Sequence, residues 1–114
     1  MQRIALPISG GNLSEQMEHC SQFALYDIRN RKISCEYMDI PAYIKADELP
    51  VWLAETGVTD IVIYKADKQT IDKLIKNKIN LFIGIKPGNP IEIINDFIEG
   101  HLYSDDKIIK EITA

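Results

Sequence analysis

The sequence predicts one α/β domain with a mixed β-sheet of about five strands and three helices. Short, continuous apolar runs at residues 60–64 and 80–85 alternate with helical patterns, which is typical of buried parallel strands joined by right-handed crossovers. The front of the chain instead has two strand patterns separated by a tight turn, which indicates an antiparallel hairpin. The length of 114 residues, with 46% hydrophobic and 26% charged residues, suits one globular domain.

The first half of the chain contributes three strands. Residues 3–8 form an apolar run, residues 23–28 form another, and residues 32–40 alternate between apolar and polar side chains. Asn30 and Arg31 supply the turn of the predicted hairpin. Residues 13–21 are polar and have no clear period, so they predict no regular element.

The second half of the chain contributes three helices. Leu49, Trp52 and Leu53 share one face of a helix over residues 46–56, and Gly57 ends it. Two further helices are predicted over residues 68–77 and 91–99, each after a buried strand. We therefore expect a domain over residues 1–102 and a charged tail over residues 103–114.

Composition and charge argue against several classes of partner. The net charge is −4, and the 13 basic residues are scattered among 17 acidic ones, whereas a nucleic-acid binder usually has a basic face. No apolar run approaches the ~20 residues needed to cross a bilayer, and the first residues have no signal-peptide pattern. We expect no nucleic acid, no membrane and a cytoplasmic location. A monomer is expected, or a weak homodimer formed through the edge of the hairpin.

Enzymatic motifs are also missing from the sequence. The first strand has no carboxylate of the kind that a two-metal nuclease needs, and neither a nucleophile elbow nor a P-loop occurs. A cysteine and a histidine at adjacent positions rarely face each other as nucleophile and base. The sequence therefore favours a binding protein over an enzyme.

The pair His19 and Cys20 is the main candidate for chemistry. Imidazole and thiolate bind soft or borderline metals, and Met17 is a third soft donor nearby. The alternative is that His19 is a surface residue and Cys20 a small buried hydrophobe, because a closed metal site needs more ligands. Cys35 shares its strand face with apolar neighbours, and Trp52 lies on an apolar helix face; both are expected in the core.

A glycine-rich loop follows the first strand. Ser9, Gly10 and Gly11 could bring backbone close to a ligand near His19, or they could form an ordinary turn. The dinucleotide fingerprint is absent, so the sequence leaves both interpretations open.

Three segments of the chain match one known family. Residues 14–20 followed by Phe23-Ala24-Leu25-Tyr26 resemble a Ser-x-His-Phe-Gly-His-Cys motif before a Phe-Ala-Ile-Tyr-like strand. Residues 49–58 are similar to a Leu-Pro-x-Trp-Leu-Ala helix before a Gly-Val turn, and residues 99–102 to a closing Gly-x-Leu. These motifs resemble those of the dinitrogenase iron-molybdenum cofactor biosynthesis family, and the resemblance implies a three-layer ribonuclease-H-like fold.

The departures from the family pattern fall in two loops. Gln16 stands where the family has its first histidine, and Met17 and Glu18 replace Phe-Gly. Residues 65–68 (Lys-Ala-Asp-Lys) stand where the family commonly has a Gly-Met-Gly-like loop. That loop follows a parallel strand, at the end of the sheet where α/β proteins bind ligands.

The resemblance implies a non-enzymatic binding or carrier domain for a metal-containing cofactor or cluster precursor, such as an iron-, molybdenum- or other metal-containing cluster. It implies ligation by His19 and Cys20 and further contacts from Ser9, Gly10, Gly11, Met17 and Lys65. The partner would be the cofactor itself or a cluster-assembly protein. The substituted loops favour an alternative: a degenerate member that acts as a protein-interaction or small-ligand regulatory module without metal.

Overall fold

The structure, a computed structural model, describes residues 2–104 and contains one six-stranded sheet. The strands are β1 (Gln2–Ser9), β2 (Asn12–Leu13), β3 (Gln22–Arg29), β4 (Lys32–Asp39), β5 (Asp60–Val62) and β6 (Asn80–Phe82). The helices are α1 (Leu49–Glu55), α2 (Lys68–Lys76) and α3 (Pro90–Ile98), with short 3₁₀ helices at Met17–His19 and Ala46–Glu48. The predicted α/β class, mixed sheet and three helices are confirmed. The predicted tail lies, from residue 105 onward, outside the described residues.

The sheet has the order β4-β3-β1-β5-β6, with β2 paired to β1. β3 and β4 form the predicted hairpin, and β1 is antiparallel to β3 but parallel to β5, which is parallel to β6. Asn30 and Arg31 have φ angles of 50° and 66°, as a two-residue hairpin turn requires.

β1 has two partners along one of its sides. β3 pairs with it from Gln2 to Ile8, whereas the opposite side pairs with β5 at Ile4 and Ala5 and with β2 at Ile8 and Ser9. Pro7, which has no N–H to donate, lies between these two pairings. Proline is therefore tolerated here although β1 is central to the sheet.

Helices cover both faces of the sheet and give three layers. On one face, α1 and α2 bury Leu53, Ile71 and Leu74 against the strands. On the other face, α3 buries Ile93 and Ile94. Trp52 packs against the first of these cores, with its ring centroid 6.0 Å from that of Phe23, as its helix face predicts. None of the helices within residues 2–104 has the length and apolarity that crossing a membrane requires.

Cys35 is exposed, so its predicted place in the core is wrong. Its strand, β4, is at the edge of the sheet, and the core beneath α3 extends to β3 but includes no residue of β4. Alternation therefore identified the correct strand, but no helix covers that row of side chains. Ile33 and Tyr37, on the same row, are 47% and 50% exposed.

Gly57 ends α1 in a left-handed conformation, with φ +87°. We predict that Gly57→Ala lowers the free energy of unfolding by about 1 kcal/mol, because an L-residue is strained at this φ. Urea denaturation measures the change. The matched control is Gly88→Ala: Gly88 has no positive φ, and an added Cβ would lie 4.0 Å from the carbonyl oxygen of Lys86. Equal stability losses in the two variants would contradict the prediction.

Candidate functional site

A polar cleft of about 440 Å³ lies at the carboxyl end of β1. Its walls come from the end of β1, from β2 with the loop that follows it, and from the loop after β6. The lining residues are Ser9, Asn12, Leu13, Ser14, Glu15, Gln16, His19 and Pro87. In α/β sheets, ligands bind at the carboxyl ends of the strands, so this cleft is the candidate site.

Backbone hydrogen bonds hold the walls of the cleft together. The N–H of Leu13 donates to the carbonyl of Gly88 at 3.0 Å, and the N–H of Ser14 donates to the carbonyl of Pro7 at 2.8 Å. The hydroxyl of Ser14 is buried and donates to the carbonyl of Gln16 at 2.8 Å. These bonds tie the polar segment after β2 to the sheet although it has no regular period.

Ser9 and His19 line the cleft, and the side chain of His19 is exposed. The structure thus brings two of the predicted site residues to one place. Gly10 and Gly11 form the turn between β1 and β2, with φ angles of 60° and 82°. An added Cβ at either glycine would meet no atom within 4 Å. Positive φ therefore accounts for these glycines, as the interpretation of an ordinary turn predicts.

Met17, predicted as a cofactor contact, does not line the cleft in this structure. Its side chain is 0% exposed and packs in the core with Ala5, Phe23 and Ile63. The short 3₁₀ helix at Met17–His19 turns successive side chains in different directions, so His19 faces outward while Met17 faces inward. The thioether acts here as an anchor for the loop.

Cys20 is half-buried against the same core. Burial raises the pKa of its thiol to about 12, partly offset by a backbone hydrogen bond, with a smaller increase from the charge of Glu18. The thiolate is the form that binds metals and attacks electrophiles, so Cys20 is a poor ligand in this conformation.

Lys65 lies beside the loop that forms the cleft and is bonded to that loop through its backbone. Residues Gln16 and Lys65 form a parallel β-bridge, and the N–H of Met17 donates to the carbonyl of Lys65 at 3.1 Å. The ammonium of Lys65 lies 5.2 Å from the ring centroid of Tyr64. Lys65 is not among the residues that line the cleft.

Glu18 connects the two loops that depart from the family pattern. Its carboxylate accepts one hydrogen bond from the N–H of Asp67 at 2.9 Å and another from the side-chain amide of Gln16 at 2.7 Å. Asp67 in turn caps α2, accepting from the N–H of Thr70 at 2.9 Å. We call this set of contacts the Glu18 clasp. Its members are the substituted residues themselves, so each loop supplies the partner for the other.

The residues that line the cleft could supply one metal ligand, but not the several ligands of a closed metal site. Within residues 2–104, no three His, Cys, Asp or Glu side chains form a group that could hold a metal ion. His19 is the accessible imidazole, and the other cleft residues are mainly neutral hydrogen-bonding groups from Ser9, Asn12 and Gln16. Such a set can hydrogen-bond to the outer atoms of a bound species and offer a single nitrogen ligand.

The site residues predicted from the sequence do not include six of the eight cleft residues: Asn12, Leu13, Ser14, Glu15, Gln16 and Pro87. The loop containing Pro87 follows β6, a parallel strand, so the rule that sites form at carboxyl strand ends could have found it. The residues after β2 carried no such signal, because β2 is too short to be predicted.

Cys20 should react slowly with alkylating agents in the folded protein. At pH 8, a thiol with a pKa of about 12 has roughly a thousandfold less thiolate than one at the ordinary value of 9.0. In a Cys35→Ser variant, we expect iodoacetamide labelling of folded protein, followed by mass spectrometry, to be slower than in urea by about that factor. The raised pKa also predicts a folded-state rate that keeps rising beyond pH 9. A rate that levels off near pH 9 would contradict this.

The Glu18 clasp should control local opening of both loops. We predict that Glu18→Ala raises hydrogen exchange at the amide of Asp67 by roughly fivefold, because a hydrogen bond is worth about 1 kcal/mol. The control is Glu15→Ala, which removes an exposed carboxylate from the same loop. Unchanged exchange at Asp67 in Glu18→Ala would show that the clasp does not hold the loop.

A family model and several solved structures are similar to this chain. The family model described as "Dinitrogenase iron-molybdenum cofactor" matches residues 1–100. The solved structure of PH0822 has a TM-score of 0.81 and 22% identity, covering 91% of this chain and 95% of its own. The apo orange protein of Desulfovibrio gigas has a TM-score of 0.75 and 16% identity, covering 92% and 93%.

A proposed dinitrogenase from Methanocaldococcus jannaschii, MJ0327, has a TM-score of 0.70 and 21% identity, covering 90% and 93%. At these identities the structures show a shared fold. No curated protein matches the sequence. The family match over nearly the whole described chain identifies this protein as a member of the dinitrogenase iron-molybdenum cofactor family.

Proposed function

We propose that the chain is a non-enzymatic binding domain that carries a metal-containing cluster precursor in the polar cleft. The observation that carries the proposal is the exposed imidazole of His19 in a cleft at the carboxyl end of the central strand. Membership of a family related to iron-molybdenum cofactor biosynthesis supplies the class of cargo.

Hydrogen bonds would do most of the work of holding this cargo. Ser9, Asn12 and Gln16 can donate to the sulfur or oxygen atoms at the surface of a metal cluster, and His19 can ligate one metal. A single ligand suits a carrier, because cargo that is held by few strong bonds can be transferred. The high pKa of Cys20 limits its part to a state in which the loop has moved and the metal has displaced the thiol proton.

The openness of the cleft supports transfer to or from a cluster-assembly protein. The exposed lining residues Ser9, Asn12, Glu15 and His19 lie on the surface, where a second protein can reach the same cargo. The cargo and this partner are the two interactions that we propose for the cleft.

His19→Ala should weaken binding of Fe²⁺ or Co²⁺ by roughly tenfold or more, since ligand-set changes commonly have that effect. Isothermal titration of metal-free protein, with molybdate as a third probe, measures the change. His101→Ala is the matched control, because His101 is the only other histidine and is also exposed. Cys20→Ser is expected to have a smaller effect than His19→Ala.

Two outcomes would contradict the carrier proposal. One is that none of the three probes binds to the wild-type protein. The other is that binding is equally strong in His19→Ala, Cys20→Ser and His101→Ala, which would put the metal elsewhere.

A module that binds a protein or small ligand without metal is the second candidate. The Glu18 clasp favours it, because the two loops that depart from the resembled motifs are hydrogen-bonded to each other. In that case the wild-type protein binds none of the metal probes, and a metal-free pulldown yields a stable partner. Retention of that partner by His19→Ala would separate this function from the carrier function.

A further inference from the structure

The edge strand β4 presents an uncovered apolar row to solvent. This row consists of Ile33, Cys35 and Tyr37, and it lies on the same sheet face as α3 but is not covered by that helix. No strand within residues 2–104 pairs with the outer side of β4. We propose that β4 pairs with β4 of a second copy of this chain, antiparallel about a two-fold axis through Cys35. This proposal does not depend on the function of the cleft.

Hydrogen bonding fixes which residues of β4 can pair outward. The two-residue turn makes Arg29 and Lys32 a hydrogen-bonded pair, so alternate residues from Lys32 onward bond to β3. The N–H and C=O groups of Ile33, Cys35 and Tyr37 therefore point away from β3. A two-fold axis can then pass through the strand at Ser34, Cys35 or Glu36, since outward groups must face outward groups.

Strand length and charge select Cys35 among these three positions. An axis at Ser34 would pair only residues 32–36, because Asn30 and Arg31 have positive φ and leave the extended conformation. An axis at Glu36 would set this carboxylate against its own copy in a close, non-hydrogen-bonded pair, which is destabilising. An axis at Cys35 pairs residues 32–38 and avoids the like charges.

The selected register is complementary along its length. Ile33 faces Tyr37 of the second copy on the apolar row, and the symmetry repeats this contact. Aromatic and β-branched residues make favourable cross-strand pairs. At each end, Arg31 in the turn comes opposite Asp39 of the second copy, which places opposite charges together. The antiparallel extension would also satisfy the outward backbone groups of the edge strand.

Sedimentation equilibrium from micromolar to about millimolar protein should reveal a species with twice the mass of the chain. Ile33→Lys should weaken this association by roughly tenfold or more, since it removes the same apolar pair twice. Adding Tyr37→Glu should restore the association, because the introduced charges face each other only across the interface. Within one chain, Ile33 pairs with Ile28 and Tyr37 with Ala24. Ile75→Lys, at another exposed isoleucine, on α2, is the control.

Cross-linking tests the position of the axis without any change in the apolar row. In a Cys20→Ser background, a short bis-maleimide should join two copies through Cys35, whose Cα atoms would lie about 5.5 Å apart. Ile33→Lys should reduce the cross-linked product and Ile75→Lys should not. A wild-type protein that stays monomeric throughout, or a double variant that is not restored, overturns the proposal.

Discussion

The rest of the structure depends on the division of one side of β1 between two partners. β3 pairs along nearly the whole strand on one side, whereas β5 pairs with Ile4 and Ala5 and β2 with Ile8 and Ser9 on the other. β5 is short, so space beside the end of β1 is left for β2. Pro7 lies between the two pairings and has no N–H that would require a partner there. The cleft exists because the chain turns back into this space.

The sequence could predict the elements that local patterns determine, but not those that tertiary contacts determine. Apolar runs and helix periodicity identified the long strands, the hairpin and all three helices, because burial determines those patterns. β2 and the 3₁₀ helix after it are set by tertiary hydrogen bonds, such as those from Leu13 to Gly88 and from Met17 to Lys65. No local pattern encodes these bonds. The prediction that Cys35 lies in the core was wrong for a related reason. Alternation shows which face of a strand a side chain is on, but not whether a helix covers that face.

The candidate site was predictable in its location and less so in its residues. Ser9 and His19 line the cleft, whereas Met17 lies in the core and Cys20 is held against it. Donor chemistry alone cannot distinguish these positions, because a methionine or cysteine serves equally well as an apolar anchor. A 3₁₀ turn decides the matter by directing neighbouring side chains to opposite environments. Of the adjacent pair, the imidazole of His19 is therefore accessible to a ligand, whereas the thiol of Cys20 is half-buried.

The Glu18 clasp shows that the two substituted loops form one unit. A glycine at position 18 could not accept the hydrogen bonds from Asp67 and Gln16, and Asp67 also fixes the start of α2. Replacing Glu18 would leave the backbone N–H of Asp67 without this acceptor. Replacing the side chain of Asp67 would instead remove the cap of α2 and keep the N–H that Glu18 accepts from. In the structure the clasp is formed while His19 stays exposed at the cleft, and Gln16 belongs to both the clasp and the cleft lining. It follows that the loops can be closed against each other while the cleft stays open to cargo.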